Sequence, residues 1–220
     1  SPRHEEFVRN RVPTSIPIVS LPAGVEIDRF GKNLKKPESE LHFVYSGRLD
    51  SSRGTREMVR LVDHFDRLPM KATMRILGTG DESDHFKELS RFDDRIIFLG
   101  QRDREDVWKE LEKCHVGIMP MSETDLWKTA SPLKLAEYLA AGLLIVGPKH
   151  SGNTIGGDHR WELLTENSDW PKECIDLVIT SIESGDWGAV SNESREAAKS
   201  YDWSFVAEKL EAGLESFLGI

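Results

Sequence analysis

Short apolar runs alternate with single amphipathic helices along most of this sequence. The runs 41–45, 72–77 and 95–99 are rich in β-branched, aromatic and other apolar residues. Each is followed by a segment whose apolar residues recur at helical spacing. Strands joined by one helix each pair in parallel, and right-handed crossovers place helices on both faces. We therefore predict an α/β fold with a doubly wound parallel sheet of about six strands.

Residues 131–142 carry the start and stop signals of a short helix between two further strands. Ser131 is a favourable N-cap, Pro132 suits the first helical position, and Gly142 can adopt the left-handed conformation that ends a helix. The apolar run 116–120 precedes this helix, and 143–146 follows it. Free N–H groups at a helix N-terminus attract phosphate, so the sequence predicts a ligand site here.

The remaining elements are predicted from the same patterns. Strands are expected at 16–19, as an edge strand, and at 161–164. Helices are expected at 55–68, 84–92, 103–113, 192–200 and 204–218, with a further one beginning at Pro171. Residues 147–160 contain four glycines and no periodic pattern, which predicts a loop.

Ligands of doubly wound sheets bind at the carboxyl ends of the strands. The loops that meet there are 46–54, 78–83, 100–103 and 121–131. Arg48 and Arg53 in the first loop could converge on one diphosphate, or they could both be solvated. The Glu137 carboxylate could accept bonds from two ribose hydroxyls or lie on a solvated helix face. Lys134 is either a phosphate ligand or a surface partner of Glu137.

Composition bounds the class of protein. The chain has 220 residues with a formal net charge of -9, so its overall field does not favour nucleic acid as a partner. No stretch is typical of a signal peptide or a transmembrane segment. Cys114 and Cys174 are too few for a disulfide framework or a metal site, and we expect core cysteines in a reducing cytoplasm. Because the chain starts at Ser1, we expect it to be a fragment.

The order of these motifs resembles the carboxyl-terminal, donor-binding domain of the retaining family 4 glycosyltransferases. That family has the two-domain GT-B fold, of which one half is a Rossmann-like domain. The resemblance extends over about residues 15–215. It rests on six segments in the family's order, namely 21–30, 46–54, 76–80, 97–100, 131–142 and 201–203. It implies that 1–15 is a linker from a missing N-terminal domain and that 16–220 is the donor-binding domain, including a C-terminal return helix.

The resemblance also implies a role for particular residues. The donor is a nucleoside diphosphate sugar, with UDP or GDP as the nucleotide, and no metal or other cofactor is expected. The donor diphosphate would contact Gly47, Arg48, Arg53, Ser131 and Leu133. Glu137 would bind the ribose, and Gly78, Gln101 and Arg102 would border the base. Thr129 and Ala130 would face the sugar.

Two positions depart from the family pattern. Arg53 stands where the family usually has lysine, and Thr129 stands where the first glutamate of a Glu-x7-Glu pair contacts the transferred hexose.

The implied reaction moves a hexose to an acceptor hydroxyl of a glycan, a lipid or a small molecule, with retention. The acceptor site would lie in the missing domain, so the fragment alone is expected to be inactive. The full-length protein is expected to be cytoplasmic, with peripheral attachment at the inner membrane face as an option. The alternatives are a free-standing nucleotide-binding module and a nucleotide-sugar epimerase of the same fold.

Overall fold

The computed structural model describes residues 2–31, 36–130 and 133–219. Within these ranges the chain forms one six-stranded sheet with the order β3-β2-β1-β4-β5-β6, in which every neighbouring pair is parallel. The strands are β1 (Glu40–Ser46), β2 (Lys71–Leu77), β3 (Ile96–Gly100), β4 (Val116–Ile118), β5 (Leu144–Pro148) and β6 (Glu162–Thr165). The predicted doubly wound parallel sheet of about six strands is confirmed.

Helices connect the strands. They are α1 (Pro2–Arg9), α2 (Thr55–Val59), α3 (Ser83–Phe92), α4 (Arg104–Leu111), α5 (Asp125–Lys128), α6 (Leu133–Ala140), α7 (Trp170–Glu183), α8 (Trp187–Ala198) and α9 (Trp203–Leu218). Short 3-10 turns lie at Ile27–Arg29, Ser51–Arg53, Val62–Arg67 and Lys199–Tyr201. The amino-terminal segment 1–15, which the resemblance implies is a linker, contains α1.

The strand order creates a switch point beside β1. The chain winds outward from β1 through β2 to β3, then returns and continues with β4 on the other side of β1. The connections after β1 and after β4 therefore diverge, leaving a crevice at the carboxyl ends of these two strands. The core around it is apolar: β4 is fully buried, and Phe43 of β1 stacks on Phe65 with ring centroids 4.9 Å apart.

Two predicted elements are wrong. Residues 16–19 form no strand, since Pro17 offers no N–H and no neighbouring strand pairs with the segment among the described residues. The predicted helix 55–68 is broken: α2 ends at Val59, and Val62–Arg67 continues as a 3-10 turn. The buried positions Met58, Leu61, Phe65 and Leu68 include steps of three residues, which fit the tighter 3-10 winding.

Helix α6 is anchored at its carboxyl end as the sequence predicts. Gly142 adopts a φ of 73°, which allows the chain to reverse into β5. Carbonyls beyond the helix are satisfied from α8: Ser194 Oγ donates to the Leu143 carbonyl at 2.8 Å, and Ser191 Oγ donates to the Gly142 carbonyl. The predicted capping by Ser131 and Pro132 lies outside the described residues.

Candidate functional site

Close backbone contacts bring the ends of β1 and β2 together. Gly47 has a φ of 148° and Gly78 a φ of 136°, both in the region that favours glycine. A Cβ on Gly78 would come within 1.8 Å of the Gly47 carbonyl oxygen, so no larger residue fits there. The Gly47 N–H donates to the Leu77 carbonyl at 3.0 Å. These glycines allow the loop 46–54, which carries Arg48 and Arg53 and is called the arginine loop below, to start directly over the neighbouring strand.

The two arginines of this loop lie in different environments. The Arg48 side chain is 63 % exposed, and its Nε donates to Asp50 Oδ2 at 2.8 Å. The Arg53 side chain is only 28 % exposed, and its guanidinium lies 5.0 Å from the centroid of the Trp127 ring. Trp127 in turn donates from Nε1 to the Ser52 carbonyl at 3.2 Å. Helix α5 therefore holds Arg53 against the loop, while Arg48 is oriented by a carboxylate near solvent.

Lys134 lies in the interior of the site. Its residue exposure is 9 %, and Nζ has no hydrogen-bond partner within the described ranges. The ammonium lies 4.1 Å from the centroid of the Tyr45 ring, and a Cβ on Gly47 would come within 3.0 Å of it. Burial, and secondly the positive charge of Arg53, lower the pKa of Lys134 to about 7, while Glu137 acts in the opposite direction. The surface interpretation of Lys134 is wrong.

Glu137 is also buried, with 8 % of its surface exposed. Burial raises the pKa of this carboxyl, and Arg104, the indole N–H of Trp108 and Lys134 each oppose that shift. The Arg104 guanidinium lies 4.8 Å from the centroid of the Trp108 ring. Trp108 Nε1 is buried without a hydrogen bond of acceptable geometry, although it interacts electrostatically with Glu137. The alternative of a solvated helix face for Glu137 is therefore wrong.

The other predicted positions border this cluster. Leu133 is the first residue of α6 and is 44 % exposed. Gln101 and Arg102 are exposed directly after β3, whose Gly100 carbonyl accepts a 2.9 Å bond from the Gly78 N–H. The hydroxyl of Thr129 donates to the Leu126 carbonyl at 2.9 Å. Ser131 lies outside the described residues. The individual ligand roles of these residues stay predictions.

A cavity of about 450 Å³ lies beside the start of α6. Its lining includes Ala130, Leu135, four residues after β5 (151, 152, 154 and 155), and residues from the segments 20–22 and 200–209. Buried Asn153 shapes the segment after β5, because its amide donates to the carbonyls of Met119, Met121 and Pro148 at 2.9 to 3.2 Å. The sequence analysis missed Asn153, which lies in the loop 147–160 for which no function was expected.

Neither a metal-binding cluster nor a membrane-spanning helix occurs in the part of the chain that the structure describes. No group of three or more His, Cys, Asp or Glu side chains there is arranged to hold a metal ion. None of the described helices has the length and apolarity needed to cross a bilayer.

The fold and site place the chain in the class of Rossmann-like α/β domains. Residues 40–184 match the family described as "Glycosyl transferases group 1", and the chain belongs to that family. A 68-residue segment is 40 % identical to TuaH of Bacillus subtilis (strain 168), which carries the name of a teichuronic acid biosynthesis glycosyltransferase. That segment covers 31 % of this chain and 16 % of TuaH.

Solved structures share the fold over nearly the whole chain. Anabaena Alr3699/HepE in complex with UDP and glucose superposes with a TM-score of 0.71 at 17 % identity, over 97 % of this chain and 60 % of that one. Sucrose-phosphate synthase from Thermosynechococcus elongatus superposes with a TM-score of 0.72 at 17 % identity. The match covers 100 % of this chain and 57 % of the synthase. The pneumococcal O-GlcNAc transferase GtfA with UDP and GlcNAc superposes with a TM-score of 0.70 at 16 % identity. The match covers 99 % of this chain and 44 % of GtfA. This chain thus spans less than two thirds of each, and the Rossmann-like fold expected of a GT-B glycosyltransferase is confirmed.

Proposed function

We propose that this chain is the donor-binding, carboxyl-terminal half of a retaining family 4 glycosyltransferase. The reaction moves a hexose from a nucleoside diphosphate sugar to an acceptor hydroxyl. One observation carries the proposal: two basic side chains, Arg53 and Lys134, and one buried carboxyl group, Glu137, meet at the switch point beside β1. Cations suit a diphosphate and a carboxylate suits a ribose diol, which is the pairing that a nucleotide donor requires.

The solved relatives support the choice of donor. Two of them were crystallised with nucleotide and sugar: HepE with UDP and glucose and also with UDP-glucose, and GtfA with UDP and GlcNAc. In this chain the diphosphate would contact the start of α6 and the loop that begins at Gly47 and contains Arg53. The cavity beside Ala130 adjoins the same end of α6 and offers room for the sugar. The protein cations would stabilise the departing diphosphate, so we propose that no metal ion is needed.

The second half of the proposed enzyme would carry the acceptor site. The shorter span of this chain relative to its relatives supports this division. Helix α9 exposes a series of large apolar side chains, and a return helix that packs on another domain would cover them. These are Trp203, Phe205, Leu210, Leu214 and Phe217.

Thermal denaturation with nucleotides tests the donor site. We expect UDP or GDP to stabilise the chain by about 2.7 kcal/mol at a hundredfold excess over the dissociation constant. The matching monophosphate should stabilise it much less, because it lacks the second phosphate that the cations would bind. UMP, GMP and inorganic pyrophosphate are the matched controls. Equal shifts for mono- and diphosphates would contradict a diphosphate site.

Transfer of radiolabelled sugar tests whether the acceptor site lies in another domain. We expect this chain alone to bind the donor without measurable transfer, because holding an acceptor hydroxyl at the anomeric carbon contributes roughly 7 to 11 kcal/mol to barrier lowering. A full-length protein with an upstream domain should show acceptor-dependent turnover. Comparable turnover by both proteins would place the acceptor site within these 220 residues and refute the half-enzyme proposal.

A further inference from the structure

Lys134 places an amine in the interior of the candidate site with no acceptor beside it. Nζ has no hydrogen-bond partner among the described residues, lies over the face of Tyr45, and occupies the space that a Cβ on Gly47 would enter. An aromatic face at 4.1 Å offers an ammonium partial compensation, and burial of an unpaired charge is otherwise unfavourable. A bound anion would supply the missing countercharge.

Burial, and secondly the charge of Arg53, favours the neutral amine of Lys134 in the free protein. Arg53 faces it from the arginine loop, although Asp50, 3.5 Å from Arg53, offsets part of that charge. Glu137 faces it from the next turn of α6 and favours the ammonium. The Tyr45 phenol on β1 is neutral, because burial raises its pKa above the usual value. With the pKa of Lys134 at about 7, roughly half of the molecules carry the neutral amine at pH 7.

We propose that Lys134 binds the diphosphate of the nucleotide donor as an ammonium and takes up a proton from solvent when the nucleotide binds. This inference deepens the proposed function and rests on it. The amine, one solvent proton and the nucleoside diphosphate combine into an ammonium–diphosphate pair, and no group is released. Arg48 and Arg53 do not take part in the uptake, since guanidinium groups stay charged at all accessible pH values.

The uptake makes nucleotide affinity depend on pH in a defined direction. Below pH 7 the ammonium is already present, and above pH 7 each further unit reduces the protonated fraction about tenfold. If the bound complex keeps its proton up to pH 9, affinity falls about 50-fold between pH 7 and pH 9. Phosphate groups titrate near pH 6 and ionise further as pH rises, which acts in the opposite direction.

Isothermal titration calorimetry of the whole chain measures both effects, with UDP, or GDP if UDP does not bind. Titrations at pH 7 in two buffers of different ionisation enthalpy give the number of protons taken up. For the wild-type chain we expect about half a proton per nucleotide at pH 7 and the 50-fold loss of affinity by pH 9. Lys134→Met should bind at least tenfold more weakly at pH 7, without proton uptake and with only a few-fold change by pH 9.

Matched variants keep the result interpretable. Lys172→Met, on the exposed side of α7, should behave like the wild-type chain. Lys134→Met should fold at least as stably as the wild type without nucleotide, because it removes a buried unpaired charge. If Lys134→Met does not fold, Lys134→Gln is used in its place. Equal proton uptake and pH profiles in the wild-type chain and the Lys134 variant would overturn this inference and leave the proposed function standing. Failure of the wild-type chain to bind either nucleotide would overturn both.

Discussion

The hydroxyl of Tyr138 on α6 accepts a 2.8 Å hydrogen bond from the backbone N–H of Ser46, the last residue of β1. Tyr138 is fully buried, and its ring occupies the space that the missing side chain of Gly117 leaves on β4. The bond joins the helix that carries Glu137 to the strand that leads into the arginine loop. One phenol oxygen therefore fixes the separation between the two halves of the candidate site.

Tyr138→Phe should lower the free energy of unfolding by about 0.5 to 1.5 kcal/mol, because the half-buried Ser46 N–H loses its partner while the ring keeps its packing. Urea denaturation followed by circular dichroism measures this loss. Tyr201→Phe is the control, since only burial and the charge of Glu162, and no hydrogen bond among the described residues, act on the Tyr201 hydroxyl. Equal losses for the two variants would mean that the bond to Ser46 contributes nothing.

Glu137→Gln should weaken binding of UDP or GDP by about 1 to 3 kcal/mol, because an amide accepts ribose hydroxyls without charge assistance. Its thermal stability should not fall. The pKa of Glu137 is raised in the folded chain, so ionisation above that pKa disfavours folding, and glutamine removes this effect near pH 7. Glu88→Gln, on the exposed side of α3, is the matched control. Calorimetry that finds the same affinity for both variants would exclude Glu137 from the ribose site.

Arg53→Met should reduce diphosphate affinity more than Arg48→Met does. Arg53 is oriented by Trp127 and lies close to Lys134, so loss of its charge-assisted bond should weaken binding by about 1.5 to 3 kcal/mol. The exposed Arg48 is hydrogen-bonded to Asp50, and loss of Arg48 should weaken diphosphate binding by less than about 1 kcal/mol. Titration of both variants with UDP gives the ranking. The reverse order would indicate that Arg48 leaves Asp50 and becomes the principal ligand.

Gly54→Ala should destabilise the chain more than Gly185→Ala. Both glycines have a φ near 70°, so each alanine suffers the same backbone strain of about 1 to 2 kcal/mol. Only at Gly54 does the added Cβ also meet an obstacle, 2.2 Å from the Pro120 carbonyl oxygen, while nothing lies within 4 Å at Gly185. Overpacking should add about 1 to 3 kcal/mol for Gly54→Ala. Denaturant midpoints that coincide would show that the loop relaxes freely away from Pro120.

The sheet was predictable because each strand and helix carries its own local pattern. Alternating apolar runs and glycine ends define the strands, and a single helix between two strands leaves only parallel pairing. The end of helix α6 at Gly142 was predictable for the same local reason. The edge strand at 16–19 failed because a strand needs a partner, which a local pattern does not reveal.

The burial of the site was not predictable. Lysine and glutamate three residues apart on a helix are typical of a solvated face. In the structure α6 is buried from Lys134 to Ala140 on every side, because α8 and the strand ends enclose it. Helix α5 has only four residues and no apolar period, so the position of Trp127 was also missed.

The stack of Trp127 on Arg53 has a consequence for engineering. Trp127 belongs to the segment in front of α6, where a change of sugar preference would be sought, yet its ring and its indole N–H also hold the arginine loop. Substitutions that widen this segment will release Arg53 at the same time. Under the proposed function, selection for a new sugar preference at Trp127 will therefore return variants that bind every nucleotide sugar more weakly, unless a second change restrains the guanidinium.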